Sequence, residues 1–372
     1  MIYLDNAATT KPTEKVLRHC EMILREDFYN PSALYYPAIK IKTKIEQARK
    51  SVAEKLKCFA DEIIFTSGAT EANNWAVGCG FKNKKGNLII SEGEHPSVFE
   101  SAMALKAKGA DVRIAPLNTN GAIDCEKFFE LIDNNTAFVS IMHVSNETGA
   151  TNPVVEIADR AKKINKKLVF HSDGVQAFCK IPTDIGPTSI DLYSISAHKI
   201  GGLKGVGALY ISKNLNMASM MLGGGQERRL RSGTENVMGI LTFEDAISDF
   251  DTVCVKPLFE YIIERLSKID GIKINSFPEN TSGYIISVGI SGVKSEVLQH
   301  LLCDDGVLVG LGSACSSKTK KNRVLESMKI TKDFIDGNIR ISLCPQTSIE
   351  EIKTAVEIIE KNICKLRSKI NG

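Results

Sequence analysis

A lysine that directly follows a strand-like run is the residue of this sequence best suited to covalent chemistry. Lys199 ends the segment Ser196-Ala-His-Lys199, which lies between the alternating run 191–196 and the glycine-rich stretch 200–207. A lysine held between small polar residues and glycines can be a buried, reactive amine, which a Schiff base to an aldehyde cofactor requires. Taken alone, Lys199 favours the simpler interpretation, a surface lysine in a turn, so its companions in the sequence must decide.

One companion is a segment suited to binding phosphate. Ser67-Gly-Ala-Thr70 follows the apolar run 63–66 and opens a helical stretch that passes through Trp75 and Val77. The free N–H groups and the positive dipole end of a helix N-terminus attract a phosphate. The alternative is an ordinary N-cap with Glu71 in the first turn.

Two further side chains stand after the ends of other apolar runs. Asp173 could pair with a pyridinium nitrogen, or it could cap a helix that begins near Gly174. His95, before Pro96, could stack on a flat ring, or it could be a structural histidine. Ligands of open parallel α/β sheets bind where the carboxyl ends of the strands meet. Together with Lys199 and the phosphate segment, these residues describe a site for pyridoxal phosphate (PLP).

A second reactive residue lies in a loop of different character. Cys315 sits in a polar run of small residues and lysines, with no large apolar residue between Leu311 and Val324. Nearby lysines and an arginine would lower the pKa of its thiol and enrich the thiolate. The loop composition favours a functional cysteine over an incidental surface cysteine.

Two cationic features complete the candidate set. Arg340 lies among apolar residues in the strand-like run 338–343, where an arginine needs an anionic partner. That partner could be a substrate carboxylate or a structural ion pair. The glycine-rich basic loop 223–234 could be a solvated turn, or it could supply a second phosphate contact across a dimer interface.

The elements that must position these residues alternate between helix and strand from about residue 40 to residue 212. Helices are predicted over 41–56, 97–109, 126–133 and 154–167, with short strands between them. This order predicts an α/β fold with a mainly parallel, seven-stranded sheet covered on both faces. After about residue 240 we expect one long helix to about residue 266, interrupted by Pro257, and then a smaller α+β domain of short strands and helices. The domains are therefore predicted as 15–250 for the large one, and 1–14 with 251–372 for the small one.

Composition narrows the class of protein further. The chain has 372 residues, is 43% apolar and 24% charged, and carries a net charge of +3, which is too weak to argue for a nucleic-acid partner. We expect no signal peptide, no membrane span and no metal site, because no apolar run is long enough and no CxxC pair occurs. The ten scattered cysteines predict a reducing, cytoplasmic location.

The motifs taken together resemble those of the cysteine desulfurases of the NifS/IscS type, within the class V aminotransferase, fold-type I group of PLP enzymes. The resemblance runs nearly end to end, and the Gly-Ser-Ala-Cys315 segment is what narrows it to the desulfurases. The matching segments are 3–10, 30–32, 65–71, 143–149, 171–173 with Gln176, 196–199, 231–236, 312–315 and 339–343.

The resemblance implies a role for each candidate residue. Lys199 would hold PLP and shuttle the substrate Cα proton, His95 would stack on the ring and serve in proton transfer, and Cys315 would attack the substrate sulfur and carry it as a persulfide. The implied cofactor contacts are Asp173 on the pyridinium nitrogen, Gln176 on the ring hydroxyl, Ala69, Thr70, Ser196 and His198 on the phosphate, and Thr234 from a partner subunit. Asn146, also near the cofactor, and Arg340 would hold the substrate carboxylate.

The function expected from the sequence is therefore conversion of L-cysteine to L-alanine, with sulfur passed to an acceptor or scaffold protein, for example in iron–sulfur cluster biogenesis. The active unit is expected to be a homodimer. The alternatives are a selenocysteine lyase or an aminotransferase on the same scaffold, and a sulfur carrier with a vestigial cofactor site. Cys315 favours the desulfurase over the first two alternatives, because an aminotransferase does not require this cysteine. The presence of Lys199, Asp173, His95 and Arg340 argues against the sulfur carrier, because a vestigial site need not keep all four.

Overall fold

The computed structural model describes residues 1–81, 85–250, 255–312 and 322–370. Its strands, in chain order, are β1 (Ile2–Leu4), β2 (Ile63–Thr66), β3 (Asn87–Ser91), β4 (Asp111–Ala115), β5 (Thr136–Ser140), β6 (Val169–Asp173), β7 (Leu192–Ser196), β8 (Gly207–Ile211), β9 (Ile272–Ile274), β10 (Ile285–Ile290), β11 (Val307–Val309) and β12 (Ile339–Ser342). Its helices are α1 (Glu14–Glu26), α2 (Tyr36–Leu56), α3 (Ala69–Gly80), α4 (Pro96–Ala107), α5 (Cys125–Glu130), α6 (Val154–Ile164), α7 (Val237–Asp249), α8 (Lys256–Leu266), α9 (Ser295–Asp304), α10 (Arg323–Ser327), α11 (Lys332–Asp336) and α12 (Ile349–Ile370).

A seven-stranded sheet forms the centre of the larger half of the chain. Its strand order is β2-β8-β7-β6-β5-β3-β4. The pairs from β7 through β4 are parallel, whereas β8 runs antiparallel to both β2 and β7. The prediction of an α/β fold with a mainly parallel sheet of seven strands is therefore confirmed.

Successive residues of a strand point to opposite faces of the sheet, and here both faces are buried. In β2, Ile63 and Phe65 belong to one apolar cluster and Ile64 to another. Helix α3 packs against β6, β7 and β8 on the side of the second cluster, and α4 lies beside α3. The near-continuous apolar character of these strands is typical of a sheet covered by helices on both sides.

The smaller half is built on two short sheets. Strands β12, β10 and β9 form an antiparallel sheet, and β1 pairs in parallel with β11, so that Ile2 lies opposite Val307. Single bridges from Asp5 to Ser342 and from Gly310 to Arg340 connect these two sheets. Helix α12 packs on α8 and α9, and the large apolar cluster continues into this half.

Four helix predictions need correction. The expected long helix over 238–266 is wrong, because α7 ends at Asp249, Phe250 has the non-helical angles φ −74° and ψ 81°, and a separate helix α8 carries Pro257 in its first turn. Helix α2 begins at Tyr36 rather than residue 41, with Pro37 at its start, where proline fits a helix. Helices α5 and α6 end about three residues before their predicted ends.

Within the described ranges, no helix is long and apolar enough to cross a membrane.

Candidate active site

A cavity of about 550 Å³ lies beyond the carboxyl ends of the parallel strands β6 and β7. Lys199 lies in the short turn directly after β7. The other predicted residues that line this cavity are Ala69, Thr70, His95, Asn146, Gln176, Ser196, His198 and Arg340. The fold thus brings Ala69 and Arg340, which are 271 positions apart in the sequence, to the same cavity.

The side chain of Lys199 is half-buried, and its amine is held by the N-terminal segment of the chain. Its Nζ donates to the carbonyl oxygens of Ala7 and Ala8, each at 2.7 Å. Burial, and next the Arg340 charge, lower the pKa of Lys199 from 10.5 to about 8, against the opposing effects of Asp173 and Asp5. The simpler interpretation of Lys199 as a surface lysine in a turn is therefore wrong.

The phosphate-binding segment is the N-terminus of α3, and no side chain caps it. Gly68 precedes the helix with φ +148°, a conformation that favours glycine, and a Cβ on the neighbouring Gly207 would lie 2.9 Å from the Gly68 Cα. Glu71 lies in the first turn, as predicted, but its carboxylate accepts from the Ser67 N–H at 2.9 Å and pairs with Arg231. The alternative of an ordinary N-cap is therefore wrong.

Ser196, across this corner of the cavity, has a buried Oγ with no hydrogen-bond partner among the described residues. A buried hydroxyl is costly to leave unpaired. An uncapped helix N-terminus beside an unpaired hydroxyl is the arrangement that an incoming phosphate would satisfy.

Asp173 ends β6 and is almost fully buried. Its Oδ1 accepts from the Val175 N–H at 3.0 Å, but residues 175–180 form a turn and no helix begins near Gly174, so the alternative of a helix cap is wrong. Its Oδ2 accepts from Asn73 Nδ2 at 2.7 Å. A carboxylate at this position can also accept a hydrogen bond from a protonated ring nitrogen.

Gln176 joins the cavity to the N-terminal segment and to a second buried lysine. Its Nε2 donates to the Ala7 oxygen at 2.9 Å, and its Oε1 accepts from Lys180 Nζ at 2.7 Å. Burial, with a smaller effect of the Lys199 charge, lowers the pKa of Lys180 to about 7. The Gln176 amide is thereby fixed in one orientation, with its nitrogen toward Ala7.

The two histidines of the cavity are held through their Nδ1 atoms. His95 is the N-cap of α4, and its Nδ1 accepts from the Ser97 N–H at 3.2 Å and lies 2.8 Å from Ser97 Oγ. His198 Nδ1 lies 3.2 Å from Thr9 Oγ1. Burial lowers the pKa of both rings, that of His198 to about 4, so both are neutral near pH 7.

Arg340, in the middle of β12, forms a structural ion pair, which was one of the two alternatives that the sequence left open. Its Nη2 pairs with Asp5 Oδ1 at 2.9 Å, and its Nη1 donates to the Asn146 carbonyl oxygen at 2.8 Å. Its Nε is buried without a partner in the described chain. The guanidinium is thus anchored by protein groups, and the Arg340 side chain also lines the cavity.

Three predicted residues are not among those that line this cavity, and the first is Asp173, which lies buried two positions before the lining residue Val175. Thr234 lines a separate, smaller cavity of about 120 Å³ with Arg231 and Glu235. Cys315 lies outside the described residues, although Gly312, three positions before it, lines the main cavity.

The sequence analysis missed several groups that the structure places here. They are the carbonyls of Ala7 and Ala8, Asn73 behind Asp173, Ser97 beside His95, and Glu147 and Lys204 at the cavity. Asn73 had a signal in the sequence, because it is an asparagine on the apolar face that Ala72 and Ala76 form in α3, and an amide buried at such a position needs partners.

These residues fit a ligand with the groups of PLP. The unpaired Ser196 Oγ and the uncapped α3 suit a phosphate, Asp173 suits a protonated ring nitrogen, and Lys199 supplies an amine that is partly neutral near pH 8. The Gln176 amide remains for a ring substituent.

Comparisons with known proteins agree with this reading. The family described as aminotransferase class-V matches residues 2–354. A cysteine desulfurase IscS of Dictyoglomus turgidum is 35% identical, over 99% of this chain and 95% of that protein. A solved structure of a NifS-like protein is 34% identical with a TM-score of 0.90, covering 97% of this chain and 98% of that one. Another, SspA in complex with cysteine, is 31% identical with a TM-score of 0.83, covering 94% and 100%.

Proposed function

This chain belongs to the class-V aminotransferase family, and on that premise we propose that it is a PLP-dependent cysteine desulfurase. It converts L-cysteine to L-alanine and passes the sulfur on through Cys315. The observation that carries the proposal is one cavity lined by Lys199, by the first residues of the uncapped helix α3 and by Arg340. The cysteine desulfurase relatives supply the substrate.

The cofactor, when bound, withdraws electrons from the Cα of an amino acid joined to it and so weakens the bonds at that carbon. Lys199 would hold its aldehyde carbon, Asp173 its ring nitrogen, and Gln176 its ring hydroxyl. His95 would cover the ring. The phosphate would be held by Ala69, Thr70, Ser196 and His198, and by Thr234 of a partner subunit.

The substrate carboxylate falls to Arg340 and Asn146. Arg340 Nε is unpaired, and its two Nη atoms are fixed by Asp5 and by the Asn146 carbonyl, so the guanidinium needs little reorganisation to bind an anion. Lys199, whose pKa is lowered by burial, is the base suited to take the Cα proton near pH 8. The relative solved with cysteine supports an amino acid of this size in the cavity.

The sulfur step uses Cys315 as nucleophile. Its thiolate forms a bond to the substrate sulfur while the carbon–sulfur bond breaks, and the electron pair of that bond stays with the carbon, which becomes the methyl group of alanine after protonation. The cysteine then holds a persulfide for an acceptor protein. The cationic residues around it in the sequence favour the thiolate form that this attack needs.

We also propose that the enzyme is a cytoplasmic homodimer, with a cofactor domain over 15–250 and a smaller domain over 1–14 and 251–372. Large apolar side chains stand unusually exposed near one another in the sequence, with Leu34 at 91% and Phe28 and Tyr36 at 68%. Leu222, at the start of the basic loop before Thr234, is 91% exposed. Such side chains mark an interaction surface, and a second copy would bring Thr234 toward a neighbouring cavity.

The function is tested by incubating the purified protein with L-cysteine and a dithiol reductant, which releases the persulfide sulfur as sulfide, and measuring alanine and sulfide together. Equal amounts of both are expected. Lys199→Ala should bind no cofactor that borohydride can fix covalently and should form neither product. Alanine without sulfide, or a cofactor still fixed by borohydride in Lys199→Ala, contradicts the proposal. Light scattering that shows a fully active monomer contradicts the dimer.

A further inference from the structure

Asp173 and His95 are connected by two side chains to which the proposed function gives no role. Asn73, which is fully buried, donates from Nδ2 to Asp173 Oδ2 at 2.7 Å and to Ser97 Oγ at 2.8 Å. Ser97 Oγ in turn lies 2.8 Å from His95 Nδ1, and the Ser97 backbone nitrogen lies 3.2 Å from the same atom. An unbroken chain of hydrogen bonds therefore runs from the carboxylate to the imidazole.

The direction of each hydrogen bond in this chain can be assigned. An ionised carboxylate only accepts, so the Asn73 amide must present its nitrogen, and its second N–H then points to Ser97 Oγ. Ser97 Oγ, having accepted that bond, directs its own hydrogen to His95 Nδ1. The Ser97 backbone N–H can only donate, and it donates to Nδ1 as well.

Two donors on one ring nitrogen decide the state of the ring. Nδ1 of His95 accepts both bonds and therefore carries no proton, so the proton of the neutral ring is on Nε2. A cationic ring would need a proton on Nδ1 in place of these donors. Burial independently lowers the pKa of His95, with the Lys199 charge acting in the same direction.

We propose that Asn73 and Ser97 are positioning residues that hold His95 as a neutral imidazole with its proton on Nε2, so that His95 donates a hydrogen bond and does not act as a base. A ring in this state has no free lone pair to accept a proton, but it can stack on a flat ligand and donate from Nε2, as neutral imidazoles at helix N-termini do in other enzymes. Proton removal is thereby left to Lys199. This narrows the role that the sequence implied for His95, which included proton transfer.

The proposal rests on the proposed function for the identity of the ligand, but the state of the ring can be measured without any turnover. The six histidines of the full-length protein are labelled with ¹⁵N, and the His95 signals are assigned by their loss in His95→Gln. Near neutral pH we expect the pattern of an unprotonated Nδ1 and a protonated Nε2. A proton on Nδ1, in either the neutral or the cationic ring, overturns the proposal whether or not the protein is a desulfurase.

Variants then test the two positioning residues. Ser97→Ala removes the hydroxyl donor and leaves only the backbone N–H, so the ratio of the Nε2-protonated to the Nδ1-protonated form should fall about five- to tenfold, which is the effect of one neutral hydrogen bond. Ser97→Thr should restore the ratio. Asn73→Ala frees the serine hydroxyl to rotate and should give a smaller decrease.

Asn74→Ala is the matched control, because Asn74 lies on the same helix and donates to the Thr70 and Ser97 carbonyl oxygens instead. It should leave the ratio unchanged. If Ser97→Ala behaves like Asn74→Ala, the proposal is wrong as a whole. If only Asn73→Ala behaves like the control, Asn73 has no positioning role. Should Asn73→Ala fail to fold, the serine pair still decides the main question.

Discussion

The lowered pKa of Lys199 predicts that its amine is reactive at a pH where ordinary lysines are almost fully protonated. With a pKa of about 8 in place of 10.5, about a quarter of the amine is neutral at pH 7.5, against about one part in a thousand for an unperturbed lysine. Only the neutral amine attacks an aldehyde. Burial in the cavity should therefore raise the reactive fraction roughly two hundredfold.

Two causes produce this shift, and one of them can be removed by mutation. Burial is the larger cause, and the neighbouring Arg340 charge is the next. Arg340→Met deletes that charge and frees Asp5, whose carboxylate favours the ammonium form, so both changes should raise the pKa of Lys199. Burial remains, so the value should stay below 10.5.

The assay is trace labelling of amines in cofactor-free protein across a range of pH, read by mass spectrometry. The wild-type Lys199 peptide should reach half of its maximal labelling rate near pH 8, and the Arg340→Met peptide at a higher pH. Lysine peptides from fully exposed positions of the same digest serve as the internal reference. A Lys199 midpoint equal to that reference, or a lower midpoint in Arg340→Met, would refute the electrostatic argument.

Three other predictions follow from the same contacts. Cys315→Ala should still bind PLP and cysteine but lose nearly all sulfide release, and mass spectrometry of the wild type after brief exposure to cysteine should find the added sulfur on the Cys315 peptide; sulfur on another cysteine contradicts this. Arg340→Lys keeps the charge but loses the planar fork, so steady-state kinetics should show KM for cysteine about 10- to 100-fold higher with PLP absorbance unchanged; loss of PLP instead would mean a structural ion pair. Arg49→Met leaves the buried Glu227 carboxylate without its 2.7 Å partner and should lower the free energy of unfolding in urea by about 3–5 kcal/mol. Arg25→Met, in an exposed pair, should lower it by under about 1 kcal/mol. Equal losses would show that burial does not matter here.

The sequence was sufficient for the sheet and for the polar residues at its edge. Short apolar runs separated by amphipathic segments have few solutions other than a covered parallel sheet, and ligand-binding side chains then gather after the strand ends. Lys199 after β7 and Asp173 at the end of β6 follow from this rule. Predicting their placement required only local sequence patterns and the rule that ligands bind at the carboxyl ends of the strands of a parallel sheet.

Contacts made by the backbone could not be predicted in the same way. Nothing in the residue types of Ala7 and Ala8 indicates that their carbonyls accept from Lys199, more than 190 positions away. The break between α7 and α8 was missed for another reason, since apolar periodicity continues across Phe250 although the backbone does not stay helical there. Thr234 is a third case, because the contact proposed for it crosses a dimer interface and would not be contained in one chain.

The segment after β1 supports several of the residues that we propose to hold cofactor and substrate. Ala7 accepts hydrogen bonds from both Lys199 and Gln176 at the end of the large sheet, and Asp5 anchors Arg340 in the small one. Because β1 pairs with β11, this segment connects the two halves of the chain. The cavity is lined by residues of both halves at the same place. A substrate carboxylate that binds Arg340 shares the guanidinium with Asp5, two residues from the carbonyl that holds the Lys199 amine. If Arg340 binds the substrate as proposed, substrate binding and the hydrogen bonds of the lysine are coupled through residues 5–8, which β1 holds in place by its pairing with β11.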